Sequence, residues 1–299
     1  MFQDILGNDK IKKSLEEGIK NNKISHSYLF LGQAGIGKKM IAKELAKGIL
    51  CLNEDNKYCN NCKSCLEFEG GNNPDFFVIE PEGNTLKIDQ IRNMQIGVQE
   101  KPIISSKKVY IIDNADFMTK EAQNALLKTL EEPPEFVTII LIGENENAFL
   151  PTIKSRCMIL HFNQISDLDI KNYLEKNYNI QVSNNMLEVF QGSIGKAIEL
   201  KDKQEIYKNI EETIETIEKE DLIDLIKKLD ILYTSKDEIL DILDYINIIF
   251  LRKAKENVKY TRCIKIVENT KRRITQNANY DMSIDNMLFN IWEEVVWKI

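Results

Sequence analysis

Proline and glycine run out early in this 299-residue chain. All six prolines fall at or before Pro151 and the last glycine is Gly195, so more than a hundred residues reach the C-terminus without either breaker. That composition suits only helices and short polar turns. Surplus positive charge is missing too. A net charge of -7 argues against a chain that grips nucleic acid by itself, because phosphate binding needs a basic face. Any DNA contact is expected to be minor or shared with partners. No apolar run reaches bilayer-spanning length, and the opening MFQDILGNDKIKKSLEEGIK lacks the apolar core of a secretory signal. A cytoplasmic protein with no membrane contact is expected. There is no internal repeat and no low-complexity tract.

What is present before Gly195 is an alternation of short apolar runs with helical patterns. Tyr28 to Leu31, Phe76 to Ile79, Val109 to Ile112, Val137 to Ile142 and Met158 to Phe162 read as strands, which predicts a parallel sheet with helices on its faces. Three short helical patterns follow between Gln164 and Leu200, the last opening after Gly192-Ser193-Ile194-Gly195. The C-terminal segment places Ile284, Met287, Leu288, Ile291, Trp292, Val295 and Val296 on one helical face. Length and pattern together predict three domains, at 1–162, 163–202 and 203–299.

The turn Gly32-Gln33-Ala34-Gly35-Ile36-Gly37-Lys38-Lys39 lies between the strand SYLFL and the helical pattern Met40 to Leu50. Strand, glycine-rich turn and helix N-terminus form the context of a phosphate loop, with Lys38 reaching the β and γ phosphates of a nucleotide. The next residue should carry a hydroxyl for magnesium, but it is Lys39. Asp113 follows the buried run VYII, where a nucleotide-hydrolysing α/β protein places its magnesium-binding acid. The water-orienting Glu expected after it is replaced by Asn114, which also reads as a simple turn residue. Asp116 is the nearest acid that could stand in. Both departures predict a site with weak magnesium affinity and little turnover.

Four of the six cysteines cluster as Cys51, Cys59, Cys62 and Cys65, while Cys157 and Cys263 stand alone. Four thiolates from one short polar segment, 51–65, complete a tetrahedral zinc shell with no open position, so the metal is expected to be structural. An iron-sulfur cluster is the alternative metal. Asn53, Asn56, Asn60 and Asn61 suit the turns between the ligands. A zinc finger that reads DNA is disfavoured by the scarcity of basic and aromatic residues nearby.

Arg156 lies in Ser155-Arg156-Cys157, on a short link between Leu150-Pro151-Thr152-Ile153-Lys154 and the strand MILHF. Such an arginine can project its planar guanidinium into a neighbouring molecule's phosphates, or can pair with a nearby carboxylate of its own chain.

DNADFMTKEAQNALLKTLEEPP, Ser155-Arg156-Cys157, the cysteine cluster after the phosphate-loop helix and GNNPDF at 71–76 together resemble the clamp-loader subunits of bacterial DNA polymerase III, members of the AAA+ superfamily. Lys38-Lys39 and Asp113-Asn114 resemble the branch that keeps an arginine finger without a competent ATPase site. The resemblance implies an AAA+ type α/β P-loop domain, a small helical lid and an all-α collar. It further implies a hetero-pentamer with gamma/tau and delta subunits that loads a sliding clamp onto primed DNA, with Arg156 acting in trans on a neighbour's ATP. Gly32, Gly35, Gly37, Lys38, Lys39 and Asp113 would form a degenerate ATP or ADP site. The alternative within the family is an ATP-hydrolysing gamma/tau-type motor. Family positions that touch the γ-phosphate also differ here, at Ile142-Gly143-Glu144 and at Gly195, with Lys196 the cation next to the latter.

Overall fold

The computed structural model describes residues 1–53 and 57–297. The chain forms two compact units, Met1–Asp169 with Ser193–Gly195, and Ile170–Gly192 with Lys196–Ile299.

The first unit is built on five parallel strands, β1 (Ser27–Leu31), β2 (Phe76–Ile79), β3 (Lys108–Ile112), β4 (Val137–Gly143) and β5 (Met158–His161), in the order β2-β3-β4-β1-β5. Helices α1 (Asp9–Lys20), α2 (Lys38–Leu50), α3 (Lys63–Glu69), α4 (Ile88–Val98), α5 (Lys120–Glu131) and α6 (Pro151–Lys154) lie between and around them. The two-residue period of a strand sorts each apolar run into two cores. Tyr28, Phe30, Val109, Ile111, Ile140 and Ile142 pack on one face with α2 residues Ile41, Ala42 and Leu45. Leu29, Leu31, Tyr110, Ile112, Ile139 and Leu141 pack on the other with Ile91, Met94, Ala122 and Leu126. Continuous apolar runs are what a sheet buried on both faces requires. All five expected strands are present, and this is the α/β fold the sequence predicts.

The remaining helices are α7 (Asp167–Tyr178), α8 (Asn184–Phe190), α9 (Ile194–Leu200), α10 (Gln204–Glu215), α11 (Leu222–Lys228), α12 (Ile231–Thr234), α13 (Ile239–Glu256), α14 (Thr261–Thr275) and α15 (Tyr280–Trp292). Among the described residues the second unit has no strand. Its axis is α13, which buries Ile242, Leu243, Tyr245, Ile246, Ile249 and Phe250. Tyr207 of α10 meets Tyr245 edge to face, with ring centres 4.9 Å apart. The C-terminal stripe is real: Ile284, Met287, Leu288, Ile291 and Val295 are buried within this unit, so these five belong to its own core. Helix α9 begins at Ile194, inside the glycine-bearing turn expected to precede it. No helix among the described residues is long and apolar enough to cross a membrane.

Candidate functional site

Residues expected to hold a nucleotide come together at the carboxyl ends of β1 and β3. Gly32 follows β1 and keeps to the sheet, its N–H donating to the Gly143 carbonyl at 3.3 Å. Gly37 is the N-cap of α2. The helix then opens with two lysines and has no acid in its first turn. This opposes the positive end of the helix dipole, at a cost of about 0.3–1 kcal/mol per charge. Both ammonium groups compensate by finding oxygen. Lys38 Nζ, buried, donates to the carbonyls of Gly32 at 2.5 Å and Gln33 at 2.6 Å. Burial holds its pKa below the ordinary lysine value, against the opposing pull of Glu144, Asp116 and Asp113.

Lys39 turns to carboxylates. Its Nζ lies 2.8 Å from Asp113 Oδ2 and donates to Glu80 Oε1. Partial burial pulls its pKa down, but the hydrogen bonds and charges of Asp113 and Glu80 outweigh it and the net shift is upward. Glu80 was not anticipated from the sequence. It follows β2 as Asp113 follows β3, and because Ile79 pairs with Ile112 the two acids emerge side by side. Asn114 adopts a left-handed conformation, φ 47°, at the start of a tight turn. Asp116 is engaged elsewhere, accepting the backbone N–H groups of Glu144 at 3.1 Å and Asn145 at 3.2 Å.

A second segment packs on the loop. The N–H of Gly195 donates to the Gly35 carbonyl at 2.9 Å. Neither position tolerates a side chain in this arrangement: a methyl on Gly195 would lie 2.9 Å from Gly35 Cα, and one on Gly35, whose φ is +70°, would lie 2.1 Å from Ser193 Oγ. An arginine could not occupy position 195 here. Lys196 pairs instead with Asp241 at 2.5 Å.

The four cysteines converge as their spacing predicts. Cys51 caps the C-terminus of α2, Cys62 caps the N-terminus of α3, and Cys65 sits in the first turn of α3. Tyr58 and Asn60, both at positive φ, bend the chain around Cys59. All four sulfurs lie within 4.8 Å of one another, and Cys51 Sγ is 3.6 Å from Cys59 Sγ. A tetrahedral ion with Zn–S bonds of about 2.3 Å needs sulfurs about 3.8 Å apart, so the donor set fits. Backbone N–H groups favour thiolate where the chain turns: that of Asn61 leads in lowering Cys59 to about 6. Burial instead pushes Cys51 and Cys65 up, a cost a bound cation would offset. Asn60 and Asn61 do lie in the turns between ligands, whereas Asn56 falls outside the described residues. Lys47 pairs with Glu69 and lies 4.6 Å from the Tyr58 ring centre, tying the cluster to α2 and α3. Cys157 and Cys263 stay apart, each held as a thiol by burial, which raises both to about 12.

GNNPDF proves to be the seam between this cluster and the sheet. Asn73 Nδ2 donates to the Ser64 carbonyl and hydroxyl, both at 2.9 Å, and Ser64 Oγ meets Ser105 Oγ at 3.0 Å. The carboxylate of Asp75, fully buried, accepts the N–H groups of Ile103, Ile104 and Ser105 at 2.6, 2.8 and 2.7 Å.

Arg156 follows α6, away from the phosphate loop in sequence and a third exposed at its side chain. Its guanidinium donates to Glu131 Oε1 at 2.6 Å and to the Thr152 carbonyl at 3.0 Å. The carboxylate partner is thus in its own chain.

Residues 7–166 match the family model described as DNA polymerase III, delta subunit. Over 165 residues the chain is 39% identical to DNA polymerase III subunit delta' of Bacillus subtilis (strain 168), covering 55% of this chain and 50% of that one. It is 37% identical over 174 residues to DNA polymerase III subunit tau/gamma of Haemophilus influenzae, covering 58% of this chain and 25% of the relative. The chain therefore spans half or less of the length of these relatives. Among solved structures, a DNA polymerase III gamma subunit-related protein of Thermotoga maritima shares the fold, with a TM-score of 0.51 at 19% identity over 96% of this chain and 99% of that one. With more than half its length matched by the model, the chain belongs to the DNA polymerase III delta-subunit family.

Proposed function

We propose that this chain is a non-motor, delta-prime-type subunit of a clamp loader, supporting ATP-dependent loading of a sliding clamp onto primed DNA. Similarity to relatives does not select the branch, since delta' and tau/gamma proteins match almost equally well. One observation carries the choice: Lys39 stands where a magnesium-binding hydroxyl is needed and pairs with Asp113, the acid that would hold the same ion. Asn114 removes the water-orienting carboxylate beside it. The partners are gamma/tau and delta subunits in a hetero-pentamer, in the cytoplasm. The chain divides into a nucleotide-binding-fold domain at 1–162, a lid at 163–202 and an oligomerising collar at 203–299. Zinc on Cys51, Cys59, Cys62 and Cys65 is structural. Arg156 leaves Glu131 to reach ATP held by an adjacent subunit.

The retained loop lysine and the tau/gamma likeness favour a second reading, a self-sufficient motor. Hydrolysis separates the two. The purified chain alone is expected to turn over ATP no faster than background, while a complex reconstituted from gamma/tau and delta subunits should load clamps only when this chain is added. Robust hydrolysis by the chain alone, abolished by Lys38→Ala, would establish the motor instead.

A further inference from the structure

The pairing of Lys39 goes beyond the loss of a hydroxyl. Its ammonium reaches Asp113, whose side chain is only 12% exposed, and Glu80, the acid at the end of the adjoining strand. We infer that Lys39 is a tethered monovalent cation standing in the place of the divalent metal, and that it closes this site to magnesium and manganese.

Three observations support this. First, the ammonium and a metal ion compete for the same Asp113 oxygen, and an N–O contact of 2.8 Å leaves no room for a hard cation that needs oxygen at about 2.1 Å. Second, Lys39 pairs with both Asp113 and Glu80, so a single ammonium occupies the space between the two carboxylates. Third, a lysine in the first turn of α2 is placed against the helix dipole, and two acids meet it there and offset that cost. Glu80 and Asp113 are a latent metal pair masked by a side chain.

The inference rests on reading this loop as a nucleotide-type site, but not on the role of the chain in a complex. Manganese binding to the purified full-length chain, loaded with zinc, tests it by electron paramagnetic resonance. The native chain should show no manganese binding that Asp113→Asn alters. Lys39→Thr, which removes the ammonium and supplies a hydroxyl, should bind manganese at least tenfold more tightly, and the double variant Lys39→Thr, Asp113→Asn should lose that gain. Lys43→Thr removes the same charge further along α2 and should gain nothing, and Lys39→Arg should remain closed. Asp113-sensitive manganese binding by the native chain, with Asp113→Asn shown to be folded by circular dichroism, would overturn the inference. So would equal affinity in Lys39→Thr and the native protein. Failure of clamp loading in the reconstituted complex would instead count against the subunit assignment and leave this result untouched.

Discussion

Arg156 and Glu131 join two sequence segments in one ion pair of 2.6 Å, the guanidinium on the link after α6 and the carboxylate at the last residue of α5. The pair is partly exposed, and such pairs contribute at most about 1 kcal/mol, so it is readily exchanged for a stronger anion. A phosphoryl group under transfer is such an anion. Arg156→Ala should leave assembly of the reconstituted complex intact and slow hydrolysis at one neighbouring site by roughly 10³- to 10⁵-fold. Glu131→Gln should preserve that rate, because it frees the same guanidinium. Stimulated ATPase and clamp-loading assays check both. Unchanged rates for Arg156→Ala would leave the ion pair as the whole role of this residue.

For the cysteine cluster, Cys62→Ser should lower zinc content well below one ion per chain, because three thiolates no longer close the shell. Elemental analysis measures this directly. Cys157→Ser, at a half-buried thiol outside the cluster, should leave zinc content unchanged. Full occupancy in Cys62→Ser would overturn the four-ligand assignment.

Asp75→Ala should be among the more damaging substitutions in the first unit. It removes a buried acceptor from three backbone donors of a part-buried loop, a loss of roughly 1–3 kcal/mol. Asp75→Asn keeps one acceptor oxygen and should fall between. Thermal unfolding by circular dichroism gives the ranking, and hydrogen exchange at Ile103, Ile104 and Ser105 locates it. A native-like melt for Asp75→Ala would refute the anchoring role.

The second unit should weaken in acid. Partial burial pushes the Glu215 carboxyl up, but hydrogen bonds and charges from Lys253 and Arg252 prevail and hold it below the ordinary glutamate value of 4.5. A depressed carboxylate contributes stability that is complete above its unfolded pKa and disappears as pH falls through the folded one. The loss therefore develops below about pH 4.5. Both tryptophans, Trp292 and Trp297, lie in this unit, so their fluorescence follows it selectively. Glu215→Gln should be less stable at neutral pH and show a shallower decline on acidification. An acid limb identical to that of the native protein would remove Glu215 from the account.

The sheet was legible because buried strands announce themselves as apolar runs, and the cysteine cluster because its ligands lie within fifteen residues of chain. The partners of Lys39 and Arg156 were not. Glu80 carries the signal that singled out Asp113, an acid closing an apolar strand, but which strands are neighbours is a property of the sheet and not of either segment. Within GNNPDF nothing marks Asp75 as an anchor, since the amides it binds lie beyond α4. The approach of Gly35 to Gly195 depends on chain segments far apart in sequence, and a glycine gives no sign of what it has made room for.

Helix α2 has the phosphate loop at one end and Cys51 at the other, thirteen residues or about 20 Å apart. Oxidation or chelation of the thiols therefore acts at the pole remote from the carboxyl edge of the sheet. The loop is anchored by its own bonds to Gly143 and Gly195. The two ends are held by separate contacts, so residues of the loop can change without disturbing the four thiols at the other end of the helix.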